Sequence, residues 1–63
     1  MKFQVLIDCK NDAFEEQPGA EVAAILTNVA TEVCERAMDD LTGFSMRLLD
    51  TNGNTVGVAE VVE

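Results

Sequence analysis

Histidine, tryptophan and tyrosine are absent from this chain, and only four basic residues stand against twelve acids. Without histidine the commonest general base, proton shuttle and metal ligand is missing. Cys9 and Cys34 are too few and too irregularly placed for a disulfide framework or a zinc site. Both sit in apolar patterns, so they are expected as small buried hydrophobes in a reducing cytosol. No apolar run approaches the ~20 residues of a membrane span. Lys2 leads straight into a strand pattern, without the apolar core or cleavage site of a signal peptide. There is no Gly-rich phosphate loop and no basic stripe. With a net charge of −8, the molecule repels nucleic acid and anionic membranes and attracts basic surfaces.

What remains is short and apolar enough to fold. At 63 residues and 48% hydrophobic content the chain reads as one acidic domain, residues 1–63, with a thin core. Lys2 to Asp8 alternates, with Phe3, Val5 and Ile7 on one side, as a half-buried strand does. Asp12 followed by Glu15 has the spacing of a capping box for a single helical turn over Asp12–Gln17, anchored by Phe14. Pro18 suits a first helical turn. From there Val22, Ile25, Leu26, Val29, Ala30, Val33, Ala37 and Leu41 recur at steps of three and four, predicting a helix to Leu41 stopped by Gly43. Phe44 to Asp50 and Thr55 to Val62 are strands joined at Asn52-Gly53, the signature of a two-residue type I′ hairpin. That register places Phe44, Met46, Ala59 and Val61 under the helix. Gly57 and Ala59 would let the helix approach closely, and Leu49, Val56, Val58 and Val62 would face outward. A right-handed crossover and a central, valine-rich third strand complete the expected fold. It is α+β, β-α-β-β, a three-stranded antiparallel sheet in order 1-3-2 with one long helix on one face, half of a ferredoxin-like unit.

Two surfaces are candidates for function. On a helical wheel Glu21, Asn28, Glu32, Glu35 and Asp39 share one side, opposite the apolar face. Glu32, Glu35 and Asp39 stand about 4.5 and 6 Å apart along the axis, an approximate imitation of a phosphate track. Asp12, Glu15 and Glu16 extend the acidic zone beyond the N-terminal end. Asp39 and Asp40 would lie in the last helical turn, where the dipole disfavours carboxylates, and Arg36 could offset this by pairing with Glu32 or Asp40. The bland alternative is a solvated helix face. The second surface is the open sheet face, where Leu49, Val56 and Val58 with Leu6 would form an apolar patch for a partner or a second copy. Asp50, Asn52 and Asn54 resemble the opening of a calcium loop, but Thr55 and Val61 stand where glycine and glutamate are required. No nucleophile has an evident base, so the chain reads as no enzyme, with no cofactor and no metal.

Two segments carry a resemblance. They are Asp8 with Asn11-Asp12-Ala13-Phe14-Glu15-Glu16 and Pro18-Gly19-Ala20-Glu21-Val22, and Leu49-Asp50-Thr51-Asn52-Gly53-Asn54-Thr55-Val56-Gly57. In these the chain resembles small acidic proteins encoded by bacteriophages and prophages. The likeness is mainly one of turn and capping chemistry and brings no catalytic residue. In size, acidity and phage-like character the chain also resembles anti-CRISPR proteins that imitate DNA. That resemblance implies a non-enzymatic inhibitor in the cytoplasm of a bacterial host. Its partner would be the basic, DNA-binding subunit of a CRISPR effector, whose recognition of target DNA and PAM it would block. The alternative is a small homodimeric adaptor using the apolar sheet face. Monomer and weak homodimer both remain open.

Overall fold

A computed structural model describes residues Met1–Glu63. The elements are β1 (Lys2–Ile7), a 3-10 turn (Asp12–Phe14), α1 (Pro18–Ala37), β2 (Ser45–Leu49) and β3 (Thr55–Val62). The fold is α+β. One sheet has the order β1-β3-β2, with β3 antiparallel to both neighbours. The two edge strands are therefore parallel to each other, and α1 runs back across the sheet between them.

Strand alternation builds the core. Phe3, Val5 and Ile7 stand opposite Val61, Ala59 and Gly57, and Met46 and Leu48 stand opposite Ala59 and Gly57 from the other side. Phe14, Ile25, Val29, Leu48, Val56 and Ala59 make one buried cluster, with Val5, Ile7, Val22, Val33 and Met46 packed against it. Leu48, 1% exposed, is its most deeply buried large side chain. Enclosing such a side chain contributes about 1.5–3 kcal/mol. Phe14 anchors the 3-10 turn as its isolation in a polar segment predicts, although neither Asp12 nor Asn11 caps that turn with its side chain.

The hairpin differs from the expected type I′ turn. Gly53 N–H donates to Asp50 C=O at 3.0 Å and Asp50 N–H donates to Asn54 C=O at 2.9 Å. Within the turn only Gly53 has positive φ, at +85°, while Asn52 does not. The loop is thus Thr51-Asn52-Gly53, a type I turn closed by a left-handed glycine, which shifts the register by one residue at the turn. The shift is absorbed between Leu48 and Leu49, where the pairing passes from Leu48↔Gly57 to Leu49↔Thr55. Val56 and Gly57 then both oppose Leu48, as at a β-bulge, and both can face the core. Val56 is consequently buried at 6% exposure and not part of the open face. Gly57 is demanded by β1 and not by the helix: a Cβ there would collide with the Leu6 carbonyl oxygen.

The helix is shorter and its buried stripe narrower than the periodicity suggests. It ends at Ala37, with Met38 as C-cap. Asp39 and Asp40 lie beyond it. The Asp40 carboxylate accepts from Thr42 N–H at 3.0 Å, a local bond that competes with helix continuation. Gly43, φ +79°, serves a turn closed by Phe44 N–H to Leu41 C=O at 3.1 Å and does not cap the helix. Ile25, Val29 and Ala37 are buried and Val22 and Val33 half-buried, whereas Leu26 and Ala30 are exposed. Cys9 and Cys34 are also exposed, against expectation. Both lie on positions that a single sheet and a single helix leave uncovered.

Candidate acidic interface

With Ile25 and Val29 directed inward, Glu21, Glu32 and Glu35 fall roughly a quarter-turn away, on one flank of α1. They do not stand opposite the core. Contacts identify the flank as the one above β2. Glu21 accepts from Thr51 N–H at 2.8 Å and from Thr51 Oγ1 at 2.7 Å, joining the first helical turn to the hairpin. At the other end Arg36 donates to Glu32 at 3.4 Å and to Ser45 C=O at 3.2 Å, with its guanidinium 4.8 Å from the centre of the Phe44 ring. This is the only ion pair in the molecule. Such a half-exposed pair contributes about 0.3–0.5 kcal/mol and the stacking about 0.5–1.

The expected row Glu32-Glu35-Asp39 is therefore broken. Glu32 is engaged with Arg36, Glu21 with Thr51, and Asp39 is off the helix, leaving Glu35 as the free, exposed acid of that flank. Asp40 is exposed but its carboxylate is held below the ordinary range by the Thr42 backbone and hydroxyl hydrogen bonds.

Acids do converge at the N-terminal end. Asp12, Glu15, Glu16 and Glu21, with Gln17 and Thr51, line an open groove of about 590 Å³ between the 3-10 turn and α1. No base lines it. Asp12, Glu15 and Glu16 are exposed and make no side-chain bond of their own, so their charge faces solvent. The arrangement does not create a metal centre: no three acids or cysteines come close enough together to hold an ion. It can attract cationic side chains and hold them in the groove by charge-assisted hydrogen bonds.

Asp50, which composition marks as one acid among many, has a different task. It is buried, and its Oδ1 accepts from Asn52 and Asn54 N–H, each at 2.9 Å. Its Oδ2 accepts from Asn11 Nδ2 at 2.9 Å and Asn54 Nδ2 at 3.3 Å. The Asn11 bond, first, and then those from Asn54 and Asn52 outweigh burial and lower its pKa. The oxygens that looked like the start of a calcium loop are thus spent on tying the hairpin to the segment after β1. The spacing Asp50-x-Asn52-x-Asn54 could have shown this as an Asx-type turn.

On the open sheet face, Leu6 and Leu49 are 58% and 50% exposed and Val58 is half-buried. Lys2 and Arg47 stand on the same face, opposite Val62 and Val58. With Val56 turned inward, this apolar patch is smaller than expected and interrupted by charge.

Fold and surface together define a small α+β domain: a single helix on a three-stranded sheet, anionic on one side. No family model, curated protein or solved structure matches the chain. No helix is long and apolar enough to cross a membrane.

Proposed function

We propose that this protein is a non-enzymatic binding module that docks its anionic end onto a basic protein surface. The observation that carries this reading is the groove lined by Asp12, Glu15, Glu16 and Glu21 with no internal base to neutralise it. Glu35 and Asp39, exposed and free, extend the same potential down the molecule. The narrower form of the proposal is an inhibitor of the anti-CRISPR kind, occupying the duplex channel of a CRISPR effector. It draws support from the charge of −8 and from the phage-like turn segments. The broken row on α1 shifts its centre of action from the helix face to the N-terminal groove.

Capture from a bacterial lysate on the immobilised protein, at low and then at high salt, tests this directly. A bound basic protein should elute with salt and compete with duplex DNA for the same site. Reversing Asp12, Glu15 and Glu16 to lysine should abolish capture while leaving the circular dichroism spectrum unchanged. Retention of the same partner by that triple variant would falsify the reading.

A further inference from the structure

A strand at a sheet edge presents unpaired backbone groups, and the two edges here are treated differently. Asp8 N–H donates to Val56 C=O at 2.7 Å, in register with the β1–β3 ladder. Pairs alternate in an antiparallel ladder, so Lys2, Gln4 and Leu6 bond to β3, while Phe3, Val5 and Ile7 turn their N–H and C=O to the free edge. On β2, Val61 N–H donates to Phe44 C=O at 3.0 Å, which leaves Ser45 outward. There Arg36 covers the edge by donating to Ser45 C=O at 3.2 Å. Nothing comparable guards β1. The one side-chain hydrogen bond to its free edge comes from the Cys9 thiol, 3.9 Å from the Ile7 carbonyl oxygen, and the strand has neither proline nor bulge.

The β1 sequence is complementary to itself. Antiparallel pairing of two copies about Val5 sets Phe3 against Ile7 of the second copy, Gln4 against Leu6, and Lys2 against Asp8. The outward residues Phe3, Val5 and Ile7 then all become hydrogen-bonded pairs. Lys2 and Asp8 meet in the narrow pairing, where Cα atoms approach to about 4.5 Å. A slip of two residues in either direction loses that charge match.

The surroundings agree. The flank of α1 on the β1 side carries Ala23, Leu26, Ala30 and Cys34, all exposed and none charged. Leu26 is 44% and Phe3 39% exposed. The helix acids lie on the other flank, above β2, so a copy arriving at β1 meets the side of α1 that is free of carboxylates. We propose that β1 is a homodimer edge, at which a second copy of this chain pairs antiparallel about Val5. The two three-stranded sheets become one of six strands, with the acid-bearing helix flanks turned away from the two-fold axis.

Sedimentation equilibrium, with isotope-filtered NOE spectroscopy on mixed labelled and unlabelled protein, tests this. The expected result is a dimer that tightens from low to physiological salt, because two copies of charge −8 repel less when screened. Salt acts oppositely on the cationic partner proposed above, so the two proposals fail separately. Gln4 Hα should show a cross-peak to Leu6 Hα of the second copy. Lys2→Asp, at an exposed position that leaves the fold intact, should weaken dimerisation about tenfold, and Lys2→Asp with Asp8→Lys should restore it. A monomer at millimolar concentration overturns the proposal and leaves β1 to a strand of another protein. A dimer indifferent to Lys2→Asp, or one touching through Leu49 and Val58 instead, overturns it equally.

Discussion

At the scale of single residues, the side chains that matter most are those whose neighbours are distant in sequence. Asp50 is the plainest case. Its carboxylate accepts from Asn52 and Asn54 nearby and from Asn11 across the fold, and these bonds favour the charged form. A carboxylate whose pKa is lowered by folding contributes stability that is present above its unfolded value. That stability is lost as pH falls through the lower folded value. The melting temperature should therefore drop as pH is taken from 5 towards 2, below about pH 4 for the ordinary carboxylate range. Asp40 adds to this in the same sense through Thr42. In Asp50→Asn the acid-side slope should flatten while stability at neutral pH falls. An unchanged slope in thermal melts of that variant would remove Asp50 from the account.

At the scale of the elements, α1 separates periodicity from burial. The recurrence of apolar residues marks Leu26 and Val29 alike as core. In the structure Val29 is 6% exposed and Leu26 is 44% exposed. Val29→Ala should cost about 2 kcal/mol in urea denaturation, Leu26→Ala under about 0.5, both measured on dilute monomer. Equal costs would mean that the helix is rotated from the orientation described. A helix on three strands has too little sheet beneath it to cover a broad stripe. Ala30 and Cys34 are left out for the same reason. The exposed threonines of that outer side turn inward to their own helix: Thr27 Oγ1 donates to Ala23 C=O at 2.9 Å and Thr31 Oγ1 to Thr27 C=O at 3.2 Å.

At the scale of the whole molecule, charge is unevenly distributed. The acids of the 3-10 turn and of α1 gather around the N-terminal groove and above β2, while Lys2 and Arg47 occupy the open sheet face. The net charge of −8 is accompanied by a single internal ion pair, so self-repulsion opposes the compact state. Raising the salt concentration from low ionic strength should raise the melting temperature, by scanning calorimetry, as screening removes that repulsion. A decrease would point to attractive surface pairs that the structure does not contain.

The order of elements, the antiparallel order β1-β3-β2 and the bounds of β3 were legible in the chain, because alternation, helical recurrence and a Gly-containing turn are local signals. Which way Val56 points was not, since it follows from a bulge that reconciles the Asp50–Asn54 turn with the Leu48–Gly57 pairing. Nor was the fate of the acids: charge can be counted residue by residue, but whether a carboxylate is free depends on what folding brings beside it. Glu21 was claimed by Thr51, thirty residues away, and Asp50 by Asn11, thirty-nine away. Local pattern determined the architecture, and only tertiary packing decided that the free anionic surface centres on Asp12, Glu15 and Glu16, with Glu35 the one unengaged acid left on the helix flank.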